Sequence, residues 1–147
     1  DIECYYESFN SVCEVTMLNS RSQWINEWQP VMRHLRDFED KSNKESNYAI
    51  FIAPALHRDT INTFWTSVKY EYEERKQKIV PLTITQLIEI LEIVKYIKQN
   101  NFNFTHIKFK ELLDNIVDIQ WISNSWDWAN QIPQKINNWK KLLLSNS

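Results

Sequence analysis

The amino-acid sequence predicts one α/β domain, in which a small mixed β-sheet is flanked by helices and followed by a helical C-terminal part. The apolar residues follow the order strand, strand, helix, strand, helix, strand and then helices alone, which is typical of layered α/β folds. The chain has 147 residues, 43% of them hydrophobic, a length that suits one core better than two. Glycine is absent, which argues against hairpin-rich β architecture and against glycine-cradled phosphate loops.

The first elements predicted are two strands and a helix. Residues 1–6 and 12–18 have the pattern of an antiparallel strand pair joined by a short polar turn. Apolar residues at helical spacing then predict a helix over residues 20–38, which Pro30 either kinks or restarts. Residues 37–46 are rich in charge, and we expect them to form a solvent-exposed loop.

Two further strands are predicted around a second helix. Residues 48–53, YAIFIA, form a short continuous apolar run, the pattern of a central buried strand. Asp59 or Thr60 is expected to cap the helix that follows. Residues 79–82 predict a short strand, and Pro81 favours a position at the edge of the sheet because proline cannot donate a hydrogen bond to a neighbour.

The rest of the chain is predicted to be helical. Thr83 and Gln86 match a capping box at the start of one helix, and residues 109–116 carry the apolar stripe of another. A last helical segment begins near residue 123, and we expect Pro133 to interrupt it. No internal repeat is apparent.

Composition limits the classes of function. A net charge of −2 gives no broad basic footprint, so nucleic-acid affinity would have to come mainly from elsewhere. Two cysteines, Cys4 and Cys13, are too few for a disulfide framework or a zinc cluster and fit free thiols in a reducing cytosol. The absence of a long apolar run or signal pattern leads us to expect a soluble cytoplasmic protein. Because Asp1 directly precedes a strand, we also expect the chain to be a fragment of a longer protein.

Glu14 is an unusual residue for its position in the apolar run VCEVTML. Side chains alternate along a strand, so Glu14 and Thr16 share one face. Burying a carboxylate is costly unless a cation or several donors compensate for it. Asp1, thirteen residues earlier, can approach Glu14 across the predicted strand pair. Two carboxylates suit Mg²⁺, and the carbonyl of Val15 is a candidate third ligand.

The helix that follows offers two further candidate site residues. Glu27 and His34 are seven residues apart, so they lie two turns apart on one helix face. A helix packed after the second strand can turn this face toward the carboxylate pair. We therefore predict an active site made by Asp1, Glu14, Glu27 and His34, with metal ligation by Asp1, Glu14 and the Val15 carbonyl.

These residues resemble the pattern of the PD-(D/E)XK nucleases, in which an Asp and a later E-x-K element lie on adjacent strands. Asp1 matches the Asp, and Glu14, Val15 and Thr16 match E-x-K, although Thr16 replaces the lysine. The ordered set D-I-E, E-V-T, E-x-x-P-x-x-R-H and F-I-A-P-A-L-H-R-D-T is similar to the cleavage domain of AlwI-type type IIS restriction endonucleases. Among these, the resemblance is closest to the large subunit of heterodimeric BstNBI-type nicking enzymes.

The resemblance implies a fold, an activity and partners. The fold would be restriction-endonuclease-like, with residues 1–147 forming a nuclease cleavage domain. The activity would be Mg²⁺-dependent hydrolysis of one strand of double-stranded DNA. A recognition domain earlier in the same polypeptide would read an asymmetric sequence, GAGTC in the closest relatives, and a small second subunit would cut the other strand. A further acidic residue would lie upstream of Asp1.

Simpler interpretations remain open for each residue. Glu14 could instead pair with a lysine or arginine, and Glu3 or Glu7 could replace Asp1 as a ligand. His34 could be an ordinary core or surface histidine, and Thr16 fits a structural role in a strand.

Several other side chains are ambiguous. His57 and Arg58 could contact DNA, but they also fit a loop that enters a helix. Most of the tryptophans are expected in the core, whereas the region of Trp126, Trp128 and Trp139 is a candidate docking surface. The alternative functions are a structure-selective repair or junction nuclease of the same fold and a catalytically silent interaction module.

Overall fold

The computed structural model describes residues 1–145 and has the predicted α/β architecture, a four-stranded mixed sheet with helices on both faces. The strands are β1 (Ile2–Tyr5), β2 (Asn10–Val15), β3 (Asn47–Ala53) and β4 (Ile79–Thr83). The helices are α1 (Arg21–Lys41), α2 (Arg58–Lys69), α3 (Ile84–Gln99), α4 (His106–Val117) and α5 (Ser125–Ser145). The predicted order of elements is therefore confirmed.

The strands lie in the order β1-β2-β3-β4, so β1 and β4 form the two edges. β1 pairs with β2 in antiparallel orientation, and β2, β3 and β4 run parallel to one another. All seven residues of β3 are buried, as expected for a central strand covered on both faces. The predictions of a central strand at residues 48–53 and of an edge strand at residues 79–82 are both confirmed.

Each face of the sheet has its own apolar core. α1 and α2 cover one face, where Val31, Leu35 and Phe64 pack against Val12 and Phe51. α3 and α4 cover the other face. α5 contributes Trp128 to the first core and Ile132, Ile136 and Trp139 to the second, so it joins the two sides of the domain. This burial fixes the position of β2 relative to α1, the two elements that carry the candidate site.

Prolines do not break the helices where the sequence suggested that they would. α1 continues through Pro30 to Lys41, so the prediction of a loop over residues 37–46 is wrong for its first half. The carbonyl that Pro30 cannot satisfy belongs to Asn26, which is exposed and can be solvated. α5 likewise continues through Pro133, because the buried residues Ile132 and Ile136 hold both sides of the proline in the core.

Of the two predicted helix caps, the one at α3 is confirmed and the one at α2 is wrong. Thr83 and Gln86 form the predicted capping box, with both reciprocal hydrogen bonds present. Neither Asp59 nor Thr60 caps α2. Instead, Nδ1 of His57 accepts the hydrogen bond from the Asp59 backbone N–H, and Asp59 and Thr60 lie inside the first turn. Within residues 1–145, none of the helices has the length and apolar character needed to span a membrane.

Candidate metal centre

Strand register brings Asp1 and Glu14 onto the same side of the sheet. Ile2 pairs with Cys13, so the next step of the antiparallel register puts Asp1 opposite Glu14. Directly opposite residues of an antiparallel pair point to the same face. Val12 packs in the core beneath α1, and Glu14, two residues later, therefore points toward the same helix. The two carboxylates meet on the α1 face near the edge of the sheet.

α1 places an imidazole between these carboxylates. His34 lies between Val31 and Phe38, which are buried, so its ring is directed to the strands while about a third of its side chain stays exposed. His34 Nδ1 lies 2.8 Å from Oε1 of Glu14 and 3.0 Å from Oδ2 of Asp1. One nitrogen atom therefore bridges a carboxylate from each of the two strands.

Asp1, Glu14 and His34 form a compact group of possible metal ligands, called the metal-type group from here on. Ligand atoms from Asp1, Glu14 and His34 all lie within 4.8 Å of one another. Among residues 1–145 this is the sole group of three or more such residues with that spacing. Oxygen atoms that share one divalent cation must approach each other this closely, because each lies about 2.0–2.6 Å from the ion.

The burial of Glu14 leaves it with a negative charge that a bound cation would compensate. Glu14 is 7% exposed, and His34 is its only hydrogen-bond partner among the described side chains. A buried carboxylate loses several kcal/mol of hydration, and one imidazole contact recovers only part of it. Two carboxylates fit Mg²⁺ or Mn²⁺, whereas an imidazole ligand is more typical of Zn²⁺, Fe²⁺ or Ni²⁺. The donor set thus fits a divalent cation held mainly by oxygen.

A small cavity of about 170 Å³ opens beside this group. Its walls carry Asp1 and His34 from the group and three further charged side chains, Glu3, Asp37 and Lys41. Asp37 and Lys41 follow His34 by three and seven residues, so they lie on its face of the helix. Sequence analysis missed Lys41 because it ended the helix at residue 38, and it missed Asp37 because it assigned residues 37–46 to a solvent-exposed loop. A prediction that extended the helix to Lys41, a basic residue of the kind favoured in the last turn of a helix, would have found both.

A buried glutamine fixes the loops at this end of the sheet. Gln23 is fully buried, and its Nε2 donates to the carbonyls of Leu18 at 2.6 Å and Ala55 at 2.8 Å. Its Oε1 accepts from the backbone N–H of His57 at 2.9 Å. The loop that follows β2 and the loop that follows β3 are therefore joined through one side chain. Glutamine in a helix gave no sequence signal for this role.

The other predicted site residues lie outside the group of three. Glu27 is on α1, about 10 Å along the helix axis before His34, and it is half-buried. Val15 ends β2 with a side chain that is 60% exposed. Thr16 Oγ1 accepts a hydrogen bond from the Leu18 N–H, a local structural contact. The roles predicted for Glu27 and for the Val15 carbonyl stay predictions.

The alternatives raised by the sequence are also located. Glu3 accepts a hydrogen bond from the Tyr5 hydroxyl and, like the strongly exposed Glu7, is outside the group. Arg58 is exposed at the start of α2. The suggested tryptophan surface is wrong for Trp128 and Trp139, which are buried because α5 packs into both cores.

Similarity to solved structures defines the class of fold. The chain is similar to the small subunit (R.BspD6I2) of the heterodimeric restriction endonuclease R.BspD6I, with a TM-score of 0.64 and 18% sequence identity. The match covers 92% of this chain and 64% of that chain, so this chain spans less than two thirds of the relative's length. The fold is therefore that of a restriction endonuclease subunit. No curated protein matches the sequence.

The sequence itself gives the particular family. The family model of the AlwI restriction endonuclease matches residues 1–90, which include β1 through α3's first turns and all three residues of the metal-type group. This chain belongs to the AlwI restriction endonuclease family. The AlwI-type resemblance is thus confirmed, whereas a specific relationship to the large subunit of BstNBI-type nicking enzymes is not.

Proposed function

We propose that this chain is the cleavage domain of a site-specific restriction endonuclease and hydrolyses one phosphodiester of double-stranded DNA with the help of Mg²⁺. The observation that carries the proposal is the group formed by Asp1, Glu14 and His34, in which a buried carboxylate and a second carboxylate face each other across two strands. Membership of a restriction endonuclease family supports the choice of DNA as substrate.

Each residue has a part in the proposed reaction. Asp1 and Glu14 would hold the cation, and the Val15 carbonyl would be a further ligand. A divalent metal, when bound, supplies Lewis-acid stabilisation of the negative charge that develops on the phosphate. His34 keeps the two carboxylates together through Nδ1 and orients the attacking water or contacts the phosphate. Water attacks phosphorus as the bond to the leaving oxygen of the strand breaks.

One such site cuts one strand, so the expected product is a nick. The proposal includes a recognition domain in the same polypeptide, since the net charge of −2 gives this chain little intrinsic affinity for DNA. Tethering would supply the local concentration instead. The relative of known structure is the small subunit of a heterodimeric enzyme, and a second subunit that cuts the opposite strand is part of the same proposal.

A plasmid assay tests the proposal. The complete protein is incubated with supercoiled plasmid and Mg²⁺, and the positions of the cuts are mapped by sequencing. We expect relaxed circles nicked near one recurring sequence. Cuts that follow DNA junctions instead of sequence would replace restriction by a repair activity, and an intact plasmid in both Mg²⁺ and Mn²⁺ would refute the nuclease assignment.

Variants of Glu27 test its predicted place in the site. Because Glu27 lies about 10 Å from His34 along α1, we expect Glu27→Gln to lower the nicking rate without removing metal binding. Metal binding is measured as the rise in melting temperature on addition of Mn²⁺. A Glu27→Gln protein that loses this rise would make Glu27 a metal ligand, and one that nicks at the normal rate would remove it from the site.

A further inference from the structure

Lys41 stands out among the charged side chains that line the cavity beside the metal-type group. Each acid there has a partner: Asp1 contacts His34, the Glu3 carboxylate accepts from the Tyr5 hydroxyl, and Asp37 Oδ1 accepts from Arg36 at 3.2 Å. The ammonium group of Lys41 has no hydrogen bond or ion pair with any residue of 1–145. Lys41 is therefore an exposed cation at this cavity that is not engaged by a protein carboxylate.

The surroundings of Lys41 favour an anion that comes from outside the protein. Val12 and Phe38, which are buried and apolar, also line this cavity, so an anion bound there is partly shielded from water and attracts a nearby ammonium group more strongly than in open solvent. The nearby acids are occupied by other donors. Lys41 itself is exposed and flexible, so its ammonium group can meet a ligand at the mouth of the cavity.

We propose that Lys41 binds a phosphate of the DNA strand that is being cut, close to but distinct from the phosphate at the metal-type group. This inference rests on the proposed function. Lys41 follows His34 by seven residues, so it lies two turns further on the same helix face. The separation along the α1 axis is about 10 Å, which corresponds to at most about three rises of 3.4 Å along the axis of the DNA duplex. The bound phosphate is thus within about three nucleotides of the cut.

Thr16 is the reason why a cation from α1 matters for the site. The residue at the E-x-K lysine position is a neutral threonine whose hydroxyl is used in a local hydrogen bond. β2 therefore supplies no cation to the substrate. α1 passes along the same face of the sheet and ends at Lys41, so a basic group enters the site from the helix and not from the strand.

The test compares Lys41→Ala with Lys141→Ala in the complete protein. Lys141 is a matched control because it is exposed near the end of α5 and its ammonium group makes no hydrogen bond or ion pair within residues 1–145. We expect Lys41→Ala to lower kcat/KM for nicking about 5- to 20-fold and Lys41→Arg to retain most of it. The slope of log affinity against log salt, measured by DNA binding in Ca²⁺, should decrease by about 0.9 for Lys41→Ala. Lys141→Ala should change neither quantity.

Uncharged phosphate analogues in the DNA can identify the phosphate that Lys41 contacts. Single methylphosphonates are placed one by one at the three positions on either side of the cut, and each substrate is assayed with both proteins. At one of these positions, the methylphosphonate should slow the wild-type enzyme about as much as the substitution Lys41→Ala does. The same methylphosphonate should not slow the Lys41→Ala protein any further. If every methylphosphonate slows both proteins equally, or if Lys41→Ala keeps the wild-type rate and salt slope, the inference is wrong and Lys41 serves only the end of its helix.

The outcomes separate this inference from the function on which it rests. Cleavage with an unchanged salt slope in Lys41→Ala overturns the role of Lys41 and leaves the nuclease intact. Binding whose salt slope depends on Lys41, without any cleavage, supports the phosphate contact and overturns the nuclease. Absence of both binding and cleavage overturns both.

Discussion

Replacing Glu14 by glutamine should make the protein more stable and less active at the same time. Glutamine keeps the shape of the side chain and an oxygen that can accept from His34 Nδ1, but it removes the charge. Glu14 is 7% exposed, so the charge loses several kcal/mol of hydration in the fold. A single charge-assisted hydrogen bond returns about 1.5–3 kcal/mol of that loss. We therefore expect Glu14→Gln to raise the free energy of unfolding by about 1–2 kcal/mol in metal-free buffer.

The assay is thermal unfolding followed by circular dichroism, with and without Mn²⁺. For a chain of 147 residues, each kcal/mol corresponds to about 2–4 °C, so the metal-free melting temperature should rise by about 2–8 °C. The wild-type protein should gain further stability from the metal, whereas Glu14→Gln should not. Nicking by the variant should fall at least about 100-fold, because the cation loses a ligand.

Glu3→Gln is the matched control for this experiment. Glu3 lines the same cavity but lies outside the group of three, and it is exposed. Its melting temperature and its response to Mn²⁺ should stay close to those of the wild-type protein. A Glu14→Gln protein that is destabilised yet still nicks DNA would refute the reasoning, since Glu14 would then be one half of a structural ion pair with His34.

Three further predictions concern His34, Gln23 and Cys13. His34→Asn offers an N–H to both carboxylates, as Nδ1 does, so it should restore the stability that is lost in His34→Ala. We expect nicking by His34→Asn to stay about 100-fold reduced. Restored nicking would mean that His34 only positions the carboxylates. Gln23→Leu leaves three backbone groups without their partner and should lower the free energy of unfolding by about 2–4 kcal/mol in urea titrations, with an unchanged value excluding the proposed link between the two loops. Burial, followed by the neighbouring Cys4, raises the pKa of the Cys13 thiol to about 11, so alkylation at pH 8 should be about 100-fold slower than for a free cysteine thiol of pKa 9.0, and a rate near that of the free thiol would contradict this environment.

The same raised pKa predicts how stability depends on pH. A thiol whose pKa is higher in the folded state favours folding while it is protonated, so its contribution is complete below the unfolded pKa and is lost as the pH rises toward 11. Tyr48 acts in the same direction, because burial and its hydrogen bond to Asp114 raise the pKa of its phenol. Stability should therefore decrease between about pH 9 and pH 11.

Local patterns were sufficient for most of the fold. YAIFIA predicted the central strand because both faces of a parallel strand are buried, and Thr83 with Gln86 predicted a helix start because the two side chains satisfy each other's backbone donors. Prolines were misread because their effect depends on tertiary packing. Pro133 stays inside α5 because its neighbours fill two cores, which a local pattern cannot reveal.

The candidate site was predictable to the extent that it depends on strand register. Asp1 and Glu14 meet because two short strands pair in antiparallel orientation, and that pairing was legible in the alternation of apolar residues. The partner of Glu14 was harder to choose, since His34 and Glu27 share a helix face and only the position of α1 along the sheet decides between them. That position depends on long-range packing of Val31 and Leu35 against the strands, which has no counterpart in the local sequence.

The position of α1 relates the absence of a lysine at position 16 to the charged residues along one face of this helix. Glu27, His34 and Lys41 recur every seven residues, a spacing that drifts only about 20° per repeat around a helix. They therefore form one stripe about 21 Å long. The middle of the stripe lies against Glu14, and the two ends extend about 10 Å along the protein on either side. A DNA strand that follows this stripe meets the metal-type group at His34 and a free cation at Lys41. Because Thr16 is neutral and its hydroxyl accepts a local hydrogen bond, positive charge beside the group would come from this stripe on α1 and not from β2.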